Sequence, residues 1–313
     1  MSPKTLRIGV FDSGVGGLTV LNQLITALPA HYVYVGDTAW MPYGEKETGV
    51  LAPRIGKLYD WMVNEQQIDA WVIACNTASM VCQTHHSHPH ESTPNIPFVE
   101  PIGPVSDLVV RQLTVTYKKQ QTIGPLHHRD NDQHVIVLAT PKTTASNIYP
   151  NTLQNFAARS ELPLSVHSIS GEGLGRWIEA GDLTSDDASI LFEQIIQRIK
   201  GVCHVQPVSH LILACTHYPH AYQQFMDVLP SHLRIMDPAQ EMAQQLKQKL
   251  LNQLGQNTLE ERLQEEASVE FIVTGSPIRF YQAATKLPLQ HVHIDQVTAL
   301  QDISPEMRLP EVS

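Results

Sequence analysis

The sequence predicts an α/β fold of two similar lobes, each built on a mainly parallel sheet, with the functional site in the cleft between them. Short apolar runs rich in β-branched residues alternate with longer amphipathic stretches, the order of strands and crossover helices. Two of the runs share one plan. Trp71-Val72-Ile73-Ala74-Cys75-Asn76-Thr77-Ala78 and Leu211-Ile212-Leu213-Ala214-Cys215-Thr216-His217-Tyr218-Pro219 each place Ala-Cys and a polar residue after a strand buried on both faces. Ligands of open α/β sheets bind outside the carboxyl ends of the strands, so both thiols are expected at one site.

The first strand is Leu6–Phe11, followed by the glycine-rich turn Asp12-Ser13-Gly14-Val15-Gly16-Gly17 and a helix, Leu18–Leu28, that stops before Pro29. A strand at Tyr32–Val35 leads through Gly36-Asp37 to the loop Trp40-Met41-Pro42-Tyr43-Gly44, and a helix is expected over Leu51–Glu65 before the Cys75 strand. His85 to Pro97 is a His- and Pro-rich loop before the short strand Phe98-Val99. Pro101–Val110 starts a helix, and the polar stretch Lys118–His134 is expected to be an irregular surface insertion.

A second set of units begins with the strand Val135–Ala139 and the segment Thr140-Pro141-Lys142-Thr143-Thr144-Ala145-Ser146. Next come a strand at Leu164–His167, a helix reaching Trp177-Ile178-Glu179, a helix at Asp187–Lys200 and the Cys215 strand. An amphipathic helix follows Pro219, then a short strand ending at Asp237-Pro238, a helix over Ala239–Leu254 and a last strand, Phe271–Thr274. Residues 1–102 with 221–313 are expected to form the first lobe and 103–220 the second.

Composition narrows the function. At 313 residues, 42% hydrophobic and 17% charged, the chain is globular and large enough for two domains, and it holds no apolar stretch long enough to span a bilayer. A net charge of −10 without a basic cluster argues against nucleic-acid binding. The four cysteines, Cys75, Cys82, Cys203 and Cys215, form no C-x-x-C pair, and Met1–Val10 lacks the long apolar core of an export signal. Free thiols in a reducing cytoplasm are therefore expected. His85, His86, His88 and His90 have no carboxylate or Cys at ligand spacing and read as a solvated loop, so no metal is expected.

Two acid/base groups of one kind on opposite sides of a substrate suit a reaction that removes a proton from one face and returns one to the other. Cys82 and Cys203 read as buried apolar residues. Asp12, at the tip of the first strand, fits either a helix N-cap or a group that takes the proton of Cys75 or holds a substrate ammonium. Hydroxyls and backbone N–H groups at Ser13, Tyr43-Gly44, Asn76, Thr77, Thr143 and Thr216 are the anion-binding groups on offer. One rival is a nucleotide-binding oxidoreductase, with Asp37 as the ribose-binding acid. The third glycine of G-x-G-x-x-G falls at Thr19, however, and both cysteines are left without a task. A non-catalytic amino-acid-binding protein is a second rival. Lys142 could suggest a pyridoxal Schiff base, which paired thiols make unnecessary.

With Tyr43-Gly44, Thr140-Pro141-Lys142-Thr143, Ser146, Tyr149 and Thr274-Gly275 added in this order, the chain resembles the glutamate racemases of the cofactor-independent aspartate/glutamate racemase superfamily, from Ile8 to about Leu287. The His-rich loop after Cys82 and the stretch 118–134 depart from that pattern. The resemblance implies glutamate as the small-molecule substrate, no cofactor, D-glutamate supplied for peptidoglycan, and no nucleic-acid or membrane partner. A homodimer is a candidate assembly. It implies Cys75 as the base for the D-enantiomer and Cys215 for the L-enantiomer, with Asp12 beside the first and His217, partnered by Glu179, beside the second. It also puts Asp12, Ser13, Tyr43, Gly44, Asn76, Thr77, Thr140, Thr143, Thr216 and His217 against the substrate. Aspartate racemase is the nearest alternative; the wording of the Cys-Thr-His-Tyr-Pro and Asp-Ser-Gly-Val-Gly-Gly motifs favours glutamate.

Overall fold

Every strand pairing among the described residues is parallel, so each connection must cross over and both faces of each sheet must be covered. The structure is a computed structural model that describes residues 4–85, 95–122, 132–181, 185–307 and 309. In chain order the first units are Arg7–Asp12 (β1), Leu18–Ala27 (α1), His31–Gly36 (β2), Thr48–Asn64 (α2), Ala70–Ile73 (β3), Asn76–Thr84 (α3) and Phe98–Val99 (β4). Ile102–Thr122 (α4) leads to Gln133–Ala139 (β5), Pro141–Ala145 (α5), Ile148–Arg159 (α6), Leu164–Ser170 (β6), Leu174–Ala180 (α7), Asp186–Val205 (α8), Val208–Ala214 (β7), Tyr222–Val228 (α9) and Arg234–Met236 (β8). The chain returns through Pro238–Leu254 (α10) and Gln256–Arg262 (α11) to Ser268–Val273 (β9), Pro277–Ala284 (α12), Val297–Ala299 (β10) and Leu300–Ile303 (α13).

The first sheet has the order β10-β9-β2-β1-β3-β4 and the second β6-β5-β7-β8. Phe11 is in register with Ile73, and Ala139 with Ala214. The chain therefore emerges from β1, β3, β5 and β7 at the same edge of each sheet, carrying Ser13, Cys75, Thr140 and Cys215.

The two-residue period of strands divides the core. Val33 and Val35 join Phe11, Trp71 and Ile73 on the face covered by α2 and α3, while Tyr32 and Tyr34 join Ile8, Val10 and Val72 on the face covered by α1 and α10. The first of these clusters does not stop at the lobe boundary. It continues through Val105 and Val109 of α4 and Leu153 of α6 into Val135, Val137 and Ile212 of the second sheet. Each large apolar side chain so buried contributes about 1.5–3 kcal/mol, so the two lobes are held by shared core rather than by their linkers. Ile136, Leu138, Leu211 and Leu213 on the opposite face pack against Ile195 and Ile199 of α8.

Several sequence expectations are revised. Strand β8 pairs with β7, so the second sheet runs to Met236, past the boundary at 220. Helix α4 extends to Thr122, into the stretch expected to be irregular: Val105, Val109 and Leu113 form a buried stripe, and the polar run from Lys118 continues the same helix. Residues 123–131 lie outside the described residues, as do His86, His88 and His90; His85 ends α3. Among the described residues no helix is long and apolar enough to cross a membrane.

Asp37, fully buried at the end of β2, is not available to a ribose. Arg54 of α2 donates to both its oxygens, at 2.6 and 2.7 Å, Tyr43 donates its phenol at 2.5 Å and Thr274 its hydroxyl at 2.6 Å. Arg54 also stacks 4.5 Å from the Trp40 ring centroid. The carboxylate thus fastens the Trp40–Gly44 loop to α2 and the end of β9. Arg54→Ala leaves a buried charge without its counter-ion, and a loss of about 3–5 kcal/mol in urea unfolding is expected. A loss below about 1 kcal/mol would show that water already reaches Asp37.

Candidate active site

A cavity of about 720 Å³ lies between the lobes at the carboxyl edges of both sheets. Ser13, Tyr43, Gly44, Cys75, Asn76 and Thr77 line it from the first lobe, and Thr140, Glu179, Cys215, Thr216 and His217 from the second. Of the residues expected to act on or bind the substrate, Asp12 and Thr143 lie behind the wall rather than in it; both are buried.

Cys75 follows β3 and is the N-cap of α3, a helix start with no preceding sequence signal beyond the polar Asn76-Thr77. Its sulfur accepts the Ala78 N–H at 3.4 Å and lies 3.6 Å from the Ser13 hydroxyl. Burial and the nearby Asp12 carboxylate push the Cys75 thiol up to about 12, against the pull of those two contacts. Those surroundings hold Cys75 as the neutral thiol at pH 7.

Asp12 is not the N-cap of α1, which is Gly17; it braces the turn before that helix and the opposite lobe. One oxygen accepts the Gly14 N–H at 2.8 Å, as a turn-capping group does, and the other accepts the Thr216 hydroxyl at 3.1 Å from the opposite lobe. Burial raises its carboxyl above the ordinary range, with His217 and the Gly14 N–H working the other way.

The surroundings of Cys215 are different. Its sulfur lies 3.9 Å from Nδ1 of His217, whose Nε2 pairs closely with the Glu179 carboxylate from α7. Burial alone would lower the imidazole, but Glu179 and the contact with Cys215 outweigh it and hold the ring well above its usual range. An imidazolium so held donates from Nδ1 toward the Cys215 sulfur. Close approach of the lobes here requires Gly16. A Cβ at that position would sit 2.5 Å from the Thr216 hydroxyl and 2.7 Å from His217 Nδ1, so a side chain would force the second lobe away.

Hydroxyls close the rest of the wall. Thr77 lies 3.2 Å from Thr140 and 3.4 Å from Thr143, and Thr140 caps α5 by accepting the Thr143 N–H. Tyr149 of α6 donates to the Asn76 side chain at 2.5 Å, again from lobe to lobe. Sequence reasoning missed Arg176, which lines the cavity and pairs with Glu45 across it. It stands three residues before Glu179 on the same short helix, a spacing that places both on one face, yet an exposed arginine there carries no signal of its own. Lys142 does not line the cavity, and no group of three or more potential metal ligands exists among the described residues. What the arrangement can do is limited and specific: two sulfurs with opposite electrostatic surroundings reach one cavity from two sheets.

No protein-family model matches the chain. Among curated proteins it is 29% identical over 291 residues to a glutamate racemase of Synechocystis sp., covering 89% of this chain and 87% of that one. It is 31% identical over 251 residues to a glutamate racemase of Pseudomonas aeruginosa, covering 80% and 83%. Among solved structures it superposes with a TM-score of 0.72 and 25% identity on a Francisella tularensis glutamate racemase in complex with D-glutamate, over 95% of this chain and 98% of the other.

The unequal surroundings predict unequal thiol reactivity. At pH 7 iodoacetamide is expected to label Cys215 at least about tenfold faster than Cys75, because burial and Asp12 keep Cys75 in the unreactive thiol form. Peptide mapping after brief labelling gives the ratio, and His217→Asn should shrink it. Faster labelling of Cys75 in the wild type would contradict this electrostatic assignment.

Proposed function

We propose that this chain, which belongs to the glutamate racemase family, interconverts L- and D-glutamate with Cys75 and Cys215 as its two proton carriers. The chain is an amino-acid racemase, an isomerase. The observation that carries the two-thiol reading is that Cys75 and Cys215 line one cavity from strands of two different sheets. A substrate held between them presents one face of Cα to each sulfur. From L-glutamate, the Cys215 thiolate takes the Cα proton and the Cys75 thiol delivers its own to the other face; from D-glutamate the roles reverse. Both sulfurs are protonated after the first transfer, and once the second is complete one is protonated and the other not, so a turnover conserves protons and charge.

The supporting groups divide between the two sides. His217, held cationic by Glu179, offsets negative charge on Cys215, and the Ser13 hydroxyl and Ala78 N–H do so for Cys75. The Thr77 hydroxyl is the donor on offer for a substrate carboxylate, while Thr140 and Thr216, whose protons go to Thr143 and Asp12 behind them, turn lone pairs toward the substrate. Supply of D-glutamate to peptidoglycan and a cytoplasmic location belong to the same reading.

Cys75→Ala and Cys215→Ala are each expected to lower interconversion by at least about 10²–10⁴-fold, the usual worth of a positioned acid or base, while the protein stays folded. Circular dichroism with coupled assays of both enantiomers, no cofactor added, measures both. Near-normal turnover by either variant would sink the two-thiol assignment, and faster turnover of aspartate than glutamate would move the substrate. His217→Asn should slow the direction that begins at Cys215 more than its reverse. Because the enantiomers have equal energy, that asymmetry must appear in kcat and KM together.

A further inference from the structure

Behind Cys215 lies a second, much smaller cavity of about 10 Å³, enough for about one water molecule. Cys215, Thr216 and Asn76 line it, and so does Asp237, the residue at which the chain leaves β8 for the first lobe. Asp237 also lines a separate surface pocket of about 460 Å³, whose walls include the exposed Gln240 and Gln244. One residue, Asp237, therefore borders both the space behind Cys215 and a surface pocket separate from the substrate cleft.

Its bonding leaves it able to act. One oxygen accepts the Ala239 N–H at 3.0 Å as the N-cap of α10, and the second takes no hydrogen bond from the described residues. The titratable groups around it are Cys215 in the inner cavity and Glu241 and Tyr222 in the outer pocket, with Arg111 of α4 held at 3.1 Å by Glu241. Burial pushes the Asp237 carboxyl up to about 6, so near neutral pH it passes readily between its two forms.

We propose that Asp237 exchanges the proton of Cys215 with solvent between turnovers, through one water in the inner cavity, an inference that rests on Cys215 being a proton carrier. After L-glutamate has been converted, Cys215 is a thiol and must lose its proton before the next L-molecule can react. The thiol passes its proton to the water, the water passes one of its own to the Asp237 carboxylate, and the carboxylic acid releases a proton into the outer pocket. A thiolate, an intact water and, at the end, the original carboxylate remain. In the opposite direction the same path reloads Cys215.

Asp237→Asn separates this role from the cap, since Asn caps a helix as well as Asp but cannot carry the proton. With enzyme in excess, the first L-to-D turnover of the variant is expected within about twofold of wild type by rapid quench, whereas steady-state kcat falls about fivefold or more. Equal slowing of both phases would make Asp237 a structural residue only, and no slowing of either would overturn the relay. Wild-type protein run in parallel distinguishes the two levels: if it fails to interconvert glutamate, the functional reading falls and the relay with it.

Discussion

Holding two strand tips from separate sheets against one cavity is the constraint on which the rest of the structure depends. Neither lobe alone places a second sulfur within reach of a substrate bound to the first. The hydrophobic cluster that passes through α4 and α6 from one sheet into the other supplies most of the attraction, and it is non-directional. Polar contacts set the geometry: Asp12 to Thr216, Tyr149 to Asn76, and Thr77 to Thr140 and Thr143 each join the lobes beside the cavity. Gly16 supplies the clearance that lets them form.

Two residues of the same type are given different electrostatic identities by this arrangement. Cys75 sits on the side of the buried Asp12 carboxylate and is held as a thiol; Cys215 sits beside an imidazolium maintained by Glu179. Environments that separate two like groups in this way are how one site runs acid and base chemistry at the same pH. Under the proposed two-thiol reaction, each direction begins with the charge states of the two sulfurs exchanged. Resetting the pair is then part of that cycle, which gives the half-buried Asp237 behind Cys215 something to do.

Much of the fold was legible in the sequence because parallel strands buried on both faces read as short apolar runs, and the duplicated Ala-Cys ending marked the two that matter. The missed elements are those that lack such a signal. β10 is three residues long and stands at the sheet edge, and α6 and α11 follow other helices after a single positive-φ residue, Asn147 and Gly255 respectively. Helix α4 outran its expected end because a solvated helix face and a polar loop have the same composition. Within the site, the motif residues came together, and the surprise was depth: Asp12 and Thr143 brace the wall from behind, which hydropathy cannot distinguish from lining it. Arg176 and Asp237 depend on tertiary placement, and neither carries a local pattern.

The most direct test of the two-thiol geometry is the origin of the proton on Cα. Purified protein is given L-glutamate in deuterated water, and the separated enantiomers are analysed by mass spectrometry at low conversion. If Cys75 and Cys215 address opposite faces of Cα, early D-glutamate carries deuterium at Cα while the remaining L-glutamate gains almost none, because the thiol that took the proton returns it. Protium retained in most of the early D-product would mean that a single base carries the proton across, and the two-sulfur account would be wrong.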